Sequence, residues 1–269
     1  MTRVTLLGVL FYCVSYSAFL AAENSAAESF PVHEGKHLLE LAYTSIDGFD
    51  RNIVLVAPSY TYSYSRKLRF SATTQLMNLE VGENVGENAN ERVDEIGLGD
   101  SSFSIQYDPG ENLTSAPWIP RSLGLFASVL IPTGDTDEGL SNDSWGGTVG
   151  AGWPIFLRDS LLLIPAFAYT KTFKHGEYSF PAEEFSLGAS LVWVSSSGFW
   201  LGIEPVITRD MVAGENIDTI ALAIGKSFRN GLGLELHWGT QNRIESFADR
   251  DDDILLFSVN WQFGRPPGH

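Results

Sequence analysis

DILLFSVNWQF, residues Asp253 to Phe263, decides how the rest of the chain is read. Alternate positions place Leu255, Phe257, Val259, Trp261 and Phe263 on one face. Leu256, Ser258, Asn260 and Gln262 take the other. A period of two is that of a β-strand with one apolar face and one mostly polar face. The apolar face must be covered, by a protein core or by lipid. If lipid covers it, every other strand must repeat the pattern until the sheet closes. An open edge would leave backbone donors and acceptors unsatisfied in hydrocarbon.

The pattern recurs eleven times upstream. Segments 36–46, 52–64, 68–79, 96–107, 121–131, 146–154, 160–173, 183–194, 199–208, 217–228 and 232–238 each align apolar side chains on one side. Leu39, Leu41 and Tyr43 do so in the first, and Leu232, Leu234, Leu236 and Trp238 in the eleventh. The total is twelve strands, an even number that returns both ends of the sheet to one side. Short turns stand at alternate connections: 65–67, Arg158-Asp159, 195–198 and Arg229-Asn230-Gly231, the last with hairpin chemistry. Longer, often acidic loops fill the intervening positions. Segment 108–120 breaks this rule, being long on the short-turn side. Pro58, Pro165 and Pro205 fall inside strands, where each must produce a bulge or a lost ladder bond. The first strand, 36–46, is the expected closing partner of the last.

The chain has 269 residues, of which 44% are hydrophobic, and a mean hydropathy near zero. After the N-terminus no stretch approaches the roughly 18 apolar residues of a membrane helix. Residues 1–22 read as a signal peptide, with one positive charge, an apolar run and Ala21-Ala22 before Glu23. Residues 23–35 read as a flexible leader, 36–263 as one β-domain and 264–269, GRPPGH, as a tail. The single cysteine, Cys13, lies in the targeting segment, so the exported chain builds no disulfide. A formal net charge of -16 is a poor match for nucleic acid.

A secreted sandwich or lipocalin-like barrel also alternates, with its apolar face inward. Two features favour lipid outside. The apolar faces are long and nearly free of charge, and Tyr43, Tyr62, Tyr107, Trp153, Trp193, Trp238 and Trp261 recur towards strand ends, as in interfacial girdles. The opposite faces then line a lumen. They carry Glu40, Arg69, Asp100, Glu184, Glu204, Glu235 and His237, set either to bias permeation or to brace the wall by salt bridges. No histidine pairs with a nucleophile at a recognisable spacing, which argues against a hydrolase. Asp135, Asp137 and Glu138, and Asp249, Asp251, Asp252 and Asp253, supply oxygen but lack the glycine and terminal glutamate of a calcium loop. No zinc spacing or phosphate cradle is present, and no cofactor is expected.

Three motifs carry a resemblance. The aromatic end of the last strand looks like the closing strand of a bacterial outer-membrane barrel. GLGDSSFSIQY from Gly97, and VLIPTGDTDEGL from Val129 to Leu140, resemble the GLGD and LPTGD motifs of the outer-membrane proteins named for the meta-pathway of phenol degradation. Asp100 and Asp135 match the motif acids. The resemblance implies a monomeric barrel, inserted by the barrel-assembly machinery, that passes small, often aromatic or hydrophobic molecules. It supplies no catalytic residue. The expected fold is all-β: one transmembrane antiparallel up-and-down β-barrel of about twelve strands, in the bacterial outer membrane. The alternative function is a structural or adhesive barrel working through its acidic loops. The remote alternative is a secreted soluble binding protein.

Overall fold

The structure, a computed structural model, describes residues 36–47, 51–65, 67–81, 93–108, 123–134, 140–141, 144–174, 182–228, 230–243 and 251–264. Twelve strands follow in chain order. They are β1 (His37–Asp47), β2 (Arg51–Ser63), β3 (Leu68–Thr73 and Leu76–Val81), β4 (Val93–Leu98 and Ser101–Tyr107), β5 (Gly124–Ile131) and β6 (Ser144–Gly152 and Ile155–Arg158). The second half is β7 (Leu161–Lys174), β8 (Glu183–Val194), β9 (Phe199–Asp210), β10 (Glu215–Ser227), β11 (Leu232–Arg243) and β12 (Asp251–Phe263). Each strand pairs antiparallel with its chain neighbours, and β12 returns to β1. His37 faces Phe263 and Asp47 faces Asp253, so the closing pair is the expected one. The signal peptide, the leader and the GRPPGH tail lie outside the described residues, as does most of 108–120.

The apolar faces point outward. Leu255, Phe257 and Trp261 of β12 are exposed, while Leu256 and Ser258 are buried. Exposed Leu39, Leu41, Leu201, Ile203, Ile220, Leu222 and Ile224 continue the band on other strands. A soluble protein does not expose an apolar surface of this extent, so the soluble reading is excluded. Among the described residues no helix is long and apolar enough to cross a membrane; the strands do the crossing. With short turns at one end and longer loops at the other, the short-turn end is periplasmic. There Trp261 packs on Phe263 at 5.0 Å and Trp193 on Phe199 at 6.5 Å, an aromatic rim at the interface.

Three strands are interrupted where the sequence suggests continuity, and the prolines supply part of the reason. Pro58 lies opposite the break in β3, where Thr74 N–H reaches the Pro58 carbonyl at 3.3 Å. Pro165 lies opposite the break in β6, where Trp153 N–H reaches its carbonyl at 3.2 Å. Pro205 sits where the β8–β9 ladder lapses between Gly188↔Val206 and Leu191↔Ile203. In all three the register resumes unchanged, so the missing donor costs local bonds and no bulge forms at the proline.

The break in β4 is different. From Thr73↔Ser102 to Leu76↔Leu98 the chain advances three residues on β3 and four on β4. This one-residue bulge at Gly99-Asp100 turns Ile96 and Leu98 outward, against the even-residue-inward alternation of Ser102, Ser104 and Gln106. Strand limits also extend beyond the sequence reading: β9 runs to Asp210 and β11 to Arg243. The Asn230-Gly231 turn forms as expected, with Leu232 N–H donating to Asn230 Oδ1 at 3.1 Å.

Candidate functional site

The inner wall falls into three parts. The first is apolar. Phe126 of β5, Leu162 and Ile164 of β7, Val192 and Val194 of β8, Trp200 of β9 and Ala223 of β10 form one buried cluster inside the ring. Trp200 reaches across β10. A side chain on Gly225 would put its Cβ 2.3 Å from Trp200 Cε2, so only glycine lets the indole lie there. Gly225 is the strand partner of Glu235 on β11, which brings the ring to the second part of the wall.

That part is polar. His237 of β11 lies with Nδ1 3.9 Å from Glu204 Oε2 of β9, and with Nε2 3.6 Å from Glu235 Oε2. Asn260 of β12 donates through Nδ2 to Glu235 Oε1 at 3.2 Å. Ser59 of β2 donates to Glu40 Oε2 of β1 at 3.5 Å. The Trp200 ring meets the imidazole edge to face, centroids 6.0 Å apart. Four of the charged residues expected on the inner face, Glu40, Glu204, Glu235 and His237, therefore form one constellation. The strand alternation places them inward and barrel closure brings β1 beside β11 and β12.

The other expected residues lie elsewhere. Arg69 is buried on β3 at the periplasmic end, opposite Ser63 and Gln106. Glu184 is buried at the long-loop end of β8, opposite Asp210 and Thr170. Asp100 sits in the β4 bulge and accepts from Gly134 N–H at 3.4 Å. Asp135, Asp137, Glu138 and Asp249 lie outside the described residues. So do the side chain of Asp251 and any calcium geometry involving it. Among the described residues no group of His, Cys, Asp or Glu converges as metal ligands.

The third part explains the two sequence motifs. Ser101 Oγ meets Thr74 Oγ1 at 3.1 Å and Thr133 Oγ1 at 2.8 Å, and Thr133 donates to the Gly99 carbonyl at 3.1 Å. A Cβ on Gly134 would lie 2.7 Å from the Leu98 carbonyl oxygen and 2.8 Å from that of Leu140. Both motifs thus make one backbone knot where β3, β4 and β5 change course. Pro132 follows β5 and carries no donor to extend its ladder. Among the described residues, Val93–Leu98 of β4 pairs with β3 alone. Leu140 packs inside the barrel on Ile46, Ile53, Leu55 and Met77.

Sequence reasoning did not single out Trp200, Asn260 or Leu140. Alternation placed the first two inward, and a tryptophan among small inward residues was the available signal. Leu140 sits in a loop, where no periodicity applies.

No family model matches the chain, and no curated protein matches it in sequence. Solved structures match it in fold. The COG4313 outer membrane channel from Pseudomonas putida F1 is 15% identical, with a TM-score of 0.63, covering 87% of this chain and 97% of that one. The NanC porin is 7% identical, with a TM-score of 0.52, covering 83% and 98%. The β domain of the Bordetella autotransporter Brka is 8% identical, with a TM-score of 0.51, covering 87% and 100%. At these identities the likeness is one of fold, and it agrees with the outward apolar band: the chain is a twelve-stranded outer-membrane β-barrel.

Proposed function

We propose that this barrel is a passive channel for small molecules with a substantial apolar or aromatic part. The observation that carries the reading is the inner wall itself. Water-filled porins are polar inside, whereas here Phe126, Leu162, Ile164, Val192 and Trp200 line one side of the interior and few charges line the other. A solute that sheds its hydration shell on such a wall loses less than an ion or a sugar would. The fold likeness to an outer membrane channel and to a porin, and the motif resemblance to the phenol-degradation barrels, support the same reading. The protein works as a monomer with no cofactor and no catalytic step.

The test is solute passage. Proteoliposomes with a lipopolysaccharide outer leaflet should admit a small aromatic alcohol faster than protein-free vesicles do. They should admit a disaccharide no faster. Equal rates for the alcohol with and without protein would leave the adhesive or structural alternative, with the acidic loops as its working surface.

A further inference from the structure

The constellation on β1, β9 and β11 is not balanced in charge. Three carboxylates and one imidazole meet there, so full ionisation leaves -3 + 1 = -2. No lysine or arginine among the described residues pairs with any of the four. Glu204 is 2% exposed, and neither of its oxygens has a hydrogen-bond partner. Nδ1 of buried His237 lacks one too. The contacts of 3.6 and 3.9 Å are too long to be hydrogen bonds. A buried carboxylate with no donor is costly, so the arrangement calls for a group that brings positive charge and N–H donors. The indole of Trp200 stands beside it, 6.0 Å from the imidazole, and aromatic faces attract cations. The described acids do not converge as a metal site would require, which favours a larger organic cation over a bare ion.

We infer that the inner wall between β9, β11 and β1 binds an organic ammonium group, held by Glu204 and Glu235 with Trp200 at its side. The apolar body of such a molecule then lies along Trp200 and Leu162, which belong to one cluster. This deepens the channel reading by naming the class of solute: small amines with an apolar part.

The full-length barrel in detergent micelles is titrated calorimetrically with n-butylammonium chloride. n-Butanol and sodium butyrate serve as neutral and anionic matches. The ammonium ion should bind saturably, at least tenfold tighter than either match. Glu204→Gln and Glu235→Gln should each weaken it tenfold or more, and Glu204→Asp should recover part of the loss. Glu183→Gln, outside the barrel, should change nothing. Heat-modifiable migration on a gel identifies the folded variants. If the glutamine variants do not fold, the preference of the unaltered barrel among the three probes decides. Equal affinity for the three probes, or ammonium binding untouched in the folded glutamine variants, overturns the inference. Equilibrium binding needs no conductance. A barrel that binds butylammonium but passes no solute contradicts the channel, and one that passes aromatic alcohols but does not bind it contradicts the site.

Discussion

The two sides of the inner wall obey different rules. From β5 to β10 it is packed with Phe126, Leu162, Ile164, Val192 and Trp200. On β11, β12, β1 and β2 it carries Glu235, His237, Asn260, Glu40 and Ser59, with Glu204 of β9 leaning into the same group. Lipid imposes one requirement on the whole outer face, so every strand looks alike from outside. The inside has no such uniform solvent. One side meets the requirement of close packing, and the other leaves polar atoms without partners. Stability is concentrated in the first, and recognition in the second.

Substitutions test that division. Trp200→Ala removes the largest fully buried side chain and should cost about 3–5 kcal/mol. Urea unfolding in vesicles reads this as a lower midpoint. A loss below about 1 kcal/mol would show that the apolar side is not tightly packed. Leu222→Arg, on the exposed outer band, should cost roughly 2–4 kcal/mol in a bilayer and much less in detergent of high polarity. Equal cost in both would remove lipid from the outer face. Gly225→Ala forces a Cβ against the indole and should cost about 1–3 kcal/mol as overpacking. The same change in a Trp200→Ala background should cost much less, a coupling that a double-mutant cycle measures directly.

The smallest effect belongs to the outer rim. Lys171 pairs with Glu183 at 3.1 Å, and Tyr169 donates to the same carboxylate at 2.8 Å. Both charged side chains are more than a third exposed, so solvent screens them. Glu183→Gln should change stability by less than about 1 kcal/mol. A larger loss would make the rim a structural element equal to the packed wall.

The outer face was legible in the sequence because alternation is a local signal. DILLFSVNWQF displays it without help, and closure on β1 follows from the strand count. The inward placement of Glu40, Glu204, Glu235 and His237 follows from the same alternation. Their convergence does not, because it depends on strand stagger and barrel closure, which relate residues up to 197 positions apart, as Glu40 and His237 are. The bulge at Gly99-Asp100 was hidden for a related reason. GLGD reads as an uninterrupted strand start, and only its contacts with Thr74, Thr133 and Gly134 show that the chain changes face there. The prolines were recognisable as disturbances, but whether each would bulge or only drop a bond is settled by the neighbouring strand.

Single-channel recording in planar bilayers tests the central claim most directly. The folded barrel should give small, discrete conductance steps, which Trp200→Ala enlarges by opening the apolar side and Glu204→Gln makes less favourable to cations. A folded barrel with no conductance in either its unaltered or its Trp200→Ala form would contradict the account.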